Sequence, residues 1–223
     1  DVIDSVYFGV WADPDLGDYT DDLVGCDTLL NAGYVYNDGD DTDYGSNPPT
    51  FLIDFFQGPK SYVPGVTFTD VNNNGKWDDG IDIPLDTAHY VGGQVRGITS
   101  YPGAKNLGLS SFVHYMQSHP THGDPNTRQE ARNYMTGKNR VGDALNPCTW
   151  TFGEVRGGVD CALVDPRFSY SGNPVTNVGW INNTATDQRQ MSNTGPFKLE
   201  KNVPVDIVVA YVLGRGNDAK NSV

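Results

Sequence analysis

Glutamate is almost absent from this acidic chain. Of its 28 carboxylate side chains only three are glutamates, and Glu130, Glu154 and Glu200 are scattered along the sequence. A pair of glutamates for glycoside hydrolysis therefore has little support, and only aspartate pairs stay open for that chemistry. A solubilising surface normally mixes both acids, whereas Asp is the residue favoured in turns and in oxygen cages. The bias towards Asp indicates cation binding.

Positive charge is scarce where the acidic residues are dense. Residues 1–90 hold 18 Asp against only Lys60 and Lys76, a balance of −16, within a formal net charge of −13 for all 223 residues. The remaining residues carry a balance of +3. A nucleic acid needs a basic surface on its protein partner. The sequence therefore argues against nucleic acid as a partner, and against anionic membranes for the same reason.

Long apolar runs are also missing. No run of 18 apolar residues occurs, so no transmembrane segment is predicted. The sequence shows neither an initiator Met nor a signal peptide with a positively charged start. We expect a fragment of a longer chain, in which residues 1–223 form a single domain.

Turn-forming residues, by contrast, are plentiful. There are 26 Gly and 14 Pro, and short apolar or β-branched runs recur between them. Strands are predicted at residues 6–11, 33–36, 51–56, 66–69, 91–99, 109–117, 149–155, 195–199 and 205–213. Their number predicts an all-β fold, a β-sandwich of jelly-roll-like form with long loops. The last run is apolar on both faces, which predicts a central strand.

One short helix is predicted, at residues 126–135. Asp124 or Asn126 would cap its start, and Gly137 would end it.

Three cysteines are present. Cys148 and Cys161 flank a plausible hairpin, and in an oxidising compartment they would form a disulfide. Cys26 is then left over, and we interpret it as a buried thiol, with a reactive or metal-bound thiol as the alternative.

Residues 70–81, D-V-N-N-N-G-K-W-D-D-G-I, have the spacing of an EF-hand-type calcium loop. Loop positions 1, 3, 5 and 9 carry the oxygen-bearing side chains Asp70, Asn72, Asn74 and Asp78. Gly75 stands at the sharp turn, and the carbonyl of Lys76 falls at position 7. Position 12, normally a bidentate Glu, is Ile81, so Asp79, Asp82 or water would have to complete the shell. We predict calcium here, against the alternative of a hydrophilic Asn/Gly turn.

A second acidic set occupies residues 13–27, where six carboxylates fall within fifteen residues. If they converged without a cation they would repel one another, so they either extend into water or share a cation. A third set, residues 37–43 (N-D-G-D-D-T-D), is explained adequately by an Asp-rich hairpin loop, with calcium as the weaker alternative.

Catalytic motifs are hard to find. There is no G-x-S-x-G elbow. The string His119-x-x-His122-x-Asp124 contains zinc-ligand types, but Pro120 and Gly123 place it in a turn rather than on a helix. We therefore interpret these histidines as loop residues.

Four tryptophans, Trp11, Trp77, Trp150 and Trp180, would stack on sugars if they lined one face. Core packing is the simpler interpretation.

Several motifs carry a family resemblance that spans nearly the whole chain. They include residues 8–18 (F-G-V-W-A-D-P-D-L-G-D), 21–27 (D-D-L-V-G-C-D), 54–59 (D-F-F-Q-G-P), 187–197 (D-Q-R-Q-M-S-N-T-G-P-F) and 208–218 (V-V-A-Y-V-L-G-R-G-N-D). The chain resembles an uncharacterised extracellular domain of large secreted proteins of the Bacteroidetes/Ignavibacteria group, many of which end in a type 9 secretion sorting domain. The resemblance implies export and a multidomain parent. It also places five aspartates of the second set in a recurring pattern: Asp13, Asp15, Asp21, Asp22 and Asp27.

These observations favour a non-enzymatic, calcium-stabilised structural or adhesive module at the cell surface or outside the cell. A subunit of a surface assembly or filament, with other copies or surface proteins as partners, is a particular form of this hypothesis. The alternative is a carbohydrate-binding module attached to a secreted hydrolase, with glycans as ligands.

Overall fold

The computed structural model describes all residues, Asp1–Val223, and it confirms an all-β, sandwich-like fold. The strands in chain order are β1 (Val2–Ala12), β2 (Asp22–Asp27), β3 (Ala32–Asn37), β4 (Thr50–Gln57), β5 (Lys60–Ser61), β6 (Phe68–Thr69), β7 (Ile83–Pro84), β8 (Thr87–Val91), β9 (Ile98–Pro102), β10 (Lys105–Asn106), β11 (Ser111–Met116), β12 (Gly153–Arg156), β13 (Gly179–Asn182), β14 (Gln188–Glu200) and β15 (Val208–Gly214). Two short α-helices are α1 (Gly93–Arg96) and α2 (Arg128–Met135). No helix is long and apolar enough to cross a membrane.

The strands form two larger sheets and four two-stranded ones. The order in the four-stranded sheet is β15-β4-β3-β2, and the order in the three-stranded sheet is β1-β14-β11. The small sheets pair β5 with β10, β6 with β7, β8 with β9 and β12 with β13.

The chain divides into two compact units, and the division falls within four strands, β1, β4, β14 and β15, and between β10 and β11. The first unit comprises Asp1–Tyr7, Phe56–Gly108 and Thr194–Val208, and the second comprises Phe8–Phe55, Leu109–Asn193 and Val209–Val223. The expectation of a single domain over residues 1–223 stays a prediction.

In the second unit, β3 packs closely against β11 and β14. A Cβ atom added to Gly33 of β3 would overlap Phe112 and lie 2.5 Å from Ser192 Oγ. Only glycine fits at this approach. The opposite face of β11 and β14 carries Val113, Tyr115 and Met191, which pack against Tyr134 of α2. Because successive side chains of a strand point to opposite faces of its sheet, each face of β11 and β14 has its own neighbour.

The first unit contains three of the small sheets, those formed by β5 and β10, β6 and β7, and β8 and β9. Phe68 and Ala88 are fully buried in it, and the Tyr90 hydroxyl accepts a hydrogen bond from the Lys60 N–H at 3.0 Å. Tyr90 and Tyr101 pair edge to face, with ring centroids 5.1 Å apart.

Two strand predictions were wrong. Residues 91–99 form no single strand, because Gly93 and Gly97 adopt positive φ angles (73° and 67°) and α1 turns the chain between β8 and β9. The apolar run at residues 205–213 gives β15, but β15 lies at the edge of its sheet rather than at the centre. Periodicity reports how apolar a strand is, and it does not report whether both of its edges are paired.

The predicted helix and disulfide are both present, with local differences. Helix α2 is capped by Thr127 rather than by Asp124 or Asn126, and the Thr127 side chain accepts a hydrogen bond from Glu130 N. The disulfide joins Cys148 and Cys161, and Cys26 is a buried free thiol. The segment between the bonded cysteines is not a self-contained hairpin, since β12 pairs with β13.

Candidate cation sites

The predicted calcium loop, here called the Asp70 loop (residues 70–82), joins β6 to β7 in the first unit. Its far end is fixed by Asp82, which is buried. One Asp82 oxygen accepts from Val71 N at 2.9 Å and the other accepts from Asp78 N at 2.8 Å. Asp82 therefore joins the two ends of the loop.

The first half of the loop winds around Asp70. The Asp70 carboxylate accepts hydrogen bonds from Asn74 N at 3.1 Å and from Gly75 N at 2.7 Å. Gly75 has a φ of 76°, which glycine adopts without steric cost. The predicted sharp turn at position 6 is thus present, and it brings the backbone back towards position 1.

The side chains at positions 3, 5 and 9 converge. Asp78 Oδ2 accepts from the Asn72 amide at 2.8 Å and from the Asn74 amide at 2.6 Å. These hydrogen bonds lower the pKa of Asp78. An asparagine side chain turned over about its last torsion presents oxygen where it had presented nitrogen. The same convergence then offers three oxygens to one cation, although Asn72 Oδ1 and Asn74 Oδ1 would give up their hydrogen bonds from Asn74 N and Lys76 N.

Aromatic packing supports the loop from behind. The Trp77 ring stacks on Tyr62, with centroids 6.2 Å apart, and meets Phe68 edge to face at 5.6 Å. Ile81, at position 12, is more than half exposed and offers no side-chain oxygen.

The second unit contains a group of three carboxylates, here called the Arg189 cluster after the cation beside it. One ligand atom from each of Asp13, Asp15 and Asp187 lies within 4.8 Å of the others. Arg189 lies against the group, with its Nε 3.1 Å from Asp13 and its Nη1 3.3 Å from Asp187. Burial raises the pKa of Asp13, while Arg189 acts to lower it.

Asp187 and Arg189 were not predicted as site residues. They lie about 170 residues after Asp13 in the sequence. The signal that was available is the D-Q-R spacing at the start of β14, which places Asp187 and Arg189 on the same side of an extended chain.

Asp22 stands apart from the other aspartates at residues 13–27 because it is buried. Its Oδ2 accepts from Leu16 N at 3.3 Å, but its Oδ1 has no hydrogen-bond partner. Burial raises the pKa of Asp22 to about 7, and the charges of Asp21, Asp15 and Asp41 act in the same direction.

Asp21 and the third acidic set meet at Asn37. The Asn37 amide donates to Asp21 Oδ1 at 2.6 Å and to Leu16 O at 3.1 Å. Asp41 accepts the N–H groups of Asp18 and Asp43 at 2.8 and 2.7 Å. The hairpin-loop interpretation of residues 37–43 therefore accounts for Asp41 through backbone hydrogen bonds.

Asp27 caps the turn between β2 and β3. Its Oδ1 accepts from Leu29 N at 2.8 Å and from Leu30 N at 3.0 Å. These contacts are the usual ones of an Asp at a turn, and Asp27 is not a member of the Arg189 cluster.

The histidine string gives no assembled metal centre. His119 lies in a turn after β11, where its Nδ1 accepts from His122 N at 3.0 Å, and Asp124 lies 3.7 Å from Arg189. Burial lowers the pKa of His122 to about 4. Of the predicted sugar-stacking residues, Trp180 is buried, whereas Trp11 is about half exposed.

Comparisons with models of protein families, with curated proteins and with solved structures find no match to this chain.

Proposed function

We propose that this chain is a non-enzymatic, calcium-stabilised structural module of an exported surface protein. The convergence of Asn72 and Asn74 on Asp78, in a loop wound around Asp70, is the observation that carries the proposal. Spacing and geometry agree here, because the side chains that the sequence assigns to loop positions 3, 5 and 9 come together.

Calcium would bind at the centre of the Asp70 loop, held by side chains at positions 1, 3, 5 and 9 and by the Lys76 carbonyl. Calcium takes six to eight oxygen ligands, and extracellular modules bind it with dissociation constants of about 10⁻⁴–10⁻³ M. A ligand present at about 100 times its dissociation constant stabilises the folded state by about 2.7 kcal/mol. The cation would thereby hold an exposed loop that has little apolar surface of its own.

Two further observations support the extracellular setting. The Cys148–Cys161 disulfide belongs to an oxidising compartment. The resemblance to extracellular domains of large secreted Bacteroidetes/Ignavibacteria proteins points in the same direction, and we include export by the type 9 route in the proposal. We propose a structural or adhesive role for the module within a surface assembly.

The test compares thermal unfolding in excess calcium and in excess chelator. We expect chelation to lower the melting temperature of the wild type by roughly 5–10 °C, which corresponds to about 2–3 kcal/mol for a chain of this size. The double variant Asp70→Asn/Asp78→Asn should melt at the same temperature with and without calcium. Asp143→Asn is the matched control, because Asp143 is exposed and lies outside residues 13–43 and outside the Asp70 loop. This variant should keep the calcium response of the wild type.

Limited proteolysis locates the effect. Chelation should open cleavage sites within the Asp70 loop, beginning near Lys76 for a trypsin-like protease. A wild type whose melting temperature ignores both calcium and chelator would count decisively against the proposal.

A further inference from the structure

Strand β15 presents an unpaired edge that is apolar and uncharged. It lies at the end of the four-stranded sheet, next to β4, and its residues 208–213 read V-V-A-Y-V-L. Tyr211 and Leu213 are 68% and 75% exposed. An exposed edge offers a row of free N–H and C=O groups to another strand, and proteins usually protect such edges with charge, proline or a bulge.

The other edges of the two larger sheets are protected. All but the last residue of β2 are buried at the opposite end of the four-stranded sheet. The edge of β11 is covered by the chain, since Phe112 N donates to Arg167 O at 2.9 Å and Ser169 N donates to Phe112 O at 3.0 Å. Strand β1 departs from regular strand geometry at Ser5, whose φ is 56°, next to the charged Asp4. Only β15 has none of these devices.

We propose that β15 pairs antiparallel with β15 of a second copy of this chain, around a two-fold axis at Tyr211. In this register Tyr211 lies opposite Tyr211 of the second copy, and Val209 lies opposite Leu213. Such a contact is self-complementary, which a two-fold interface requires. It joins the two four-stranded sheets into one continuous sheet by strand addition.

The side chains favour self-pairing over pairing with an unrelated strand. Tyr211 stacks on Phe51 of β4, with ring centroids 5.7 Å apart and an interplanar angle of 18°. A second copy extends this stack into a row of four aromatic rings across the joined sheet, and cross-strand aromatic pairs stabilise sheets.

Charge does not oppose this register. Arg215 is the first charged residue after β15, and Asp206 is the nearest one before it, so residues 207–214 carry no charge. The paired segments of the two copies therefore place no like charges opposite each other, although the chain has a formal charge of −13.

The inference deepens the assembly role proposed above and rests on it for its biological setting, but its test is separate from calcium. The measurement is the mass of the wild type by sedimentation from about 1 µM to about 1 mM, because a contact only one strand long gives a weak dimer. We expect a concentration-dependent dimer. Those amides of residues 209–213 that face away from β4 should become protected from hydrogen exchange at high concentration.

Charge variants test the register. Tyr211→Lys places two like charges opposite each other, as does Tyr211→Glu, and each variant should weaken the dimer at least tenfold. An equimolar mixture of the two variants should recover it, because opposite charges then face each other. Val95→Lys and Val95→Glu are matched controls at a valine that is 98% exposed, and they should dimerise like the wild type.

Three results would overturn the inference. A wild type that is monomeric throughout would leave the edge to a strand of another protein. Dimers that survive Tyr211→Lys would lie on another surface, and an unrecovered mixture would exclude the Tyr211 register. Melting curves of the variants, recorded with calcium and with chelator, separate loss of the dimer from loss of the fold and from failure of the calcium proposal.

Discussion

The Asp70 loop and the Arg189 cluster are both rich in aspartate, yet they balance their negative charge differently. In the loop, Asp70 and Asp78 are held by backbone N–H groups and by asparagine amides, which are neutral donors. In the cluster, a guanidinium lies within 3.3 Å of both Asp13 and Asp187. In the cluster a cation contacts the carboxylates, whereas in the loop the charge of Lys76 makes only a minor contribution to the lowered pKa of Asp78.

This difference indicates which of the two regions a metal ion would stabilise more. The negative charge of the aspartates in the second unit is balanced in three ways. Arg189 supplies a positive charge, and the raised pKa of the buried Asp22 favours its protonated form. Backbone N–H groups donate hydrogen bonds to Asp27 and Asp41. In the Asp70 loop the carboxylates of Asp70 and Asp78 are contacted by neutral donors, namely backbone N–H groups and asparagine amides, and these amides can exchange nitrogen for oxygen. A high local density of aspartate is therefore weaker evidence for calcium than the spacing and curvature of one loop.

We expect the largest change in stability when Arg189 is removed. The Arg189 side chain is only 11% exposed, and Arg189→Met leaves Asp13 and Asp187 partly buried without their cation. Breaking a buried ion pair costs about 3–5 kcal/mol, and the partial exposure of these carboxylates reduces our expectation to about 2–3 kcal/mol. Chemical denaturation measures the loss in the free energy of unfolding.

The same variant should also acquire a calcium response in the second unit. Without Arg189, the three carboxylates of the cluster can share calcium, so added calcium should restore part of the lost stability. Arg167→Met is the control, because the Arg167–Asp165 pair is largely exposed and such pairs contribute less than about 1 kcal/mol. An Arg189→Met protein as stable as the wild type would show that the guanidinium does not balance the cluster.

Much of the fold follows from local sequence patterns, and its failures have local causes. Strands β3, β4 and β11 were predicted because their apolar residues fall in short runs between turns. Strand β2 was missed because Asp22 and Asp27 stand at its two ends and hide the short apolar run between them. Which strand lies at an edge depends on pairing between distant segments, and the sequence holds no local record of it.

The candidate sites divide in the same way. All ligands of the Asp70 loop lie within thirteen residues, so spacing alone predicts which side chains converge. The Arg189 cluster joins Asp13 and Asp15 to Asp187 from a distant strand, which no local spacing predicts. The burial that distinguishes Asp22 from its neighbour Asp21 could not be predicted from the sequence either.

We expect a smaller effect in the pH dependence of stability. Asp22 has a folded-state pKa of about 7, above its ordinary value of 3.8, so the folded state gains stability as the pH falls from about 7 to about 4. His122 has the opposite sign: its folded-state pKa is about 4, below 6.5, and stability is lost as the pH falls from about 6.5 to about 4. In calcium-free wild type the two contributions oppose each other.

Asp22→Asn removes the contribution of Asp22 to the pH dependence and leaves that of His122. The variant should be more stable than the wild type at pH 8, where the wild type buries a charged carboxylate. Between pH 6.5 and pH 4.5 its stability should fall more steeply, by up to about 1.4 kcal/mol per pH unit. Urea unfolding at pH 8, 6.5, 5.5 and 4.5 in chelator measures both effects. Parallel curves for the variant and the wild type would show that Asp22 stays ionised.

The smallest effect is expected at Asp27, where backbone N–H groups alone balance the charge. Asp27→Ala removes the acceptor for Leu29 N and Leu30 N, and because this turn is accessible to water the loss should be about 0.5–1 kcal/mol. Asp27→Asn keeps a side-chain oxygen and should lose less. The calcium response of both variants should equal that of the wild type, since the turn already satisfies this carboxylate. A calcium response reduced in both would instead make Asp27 a ligand, as its place in the acidic sequence pattern first suggested.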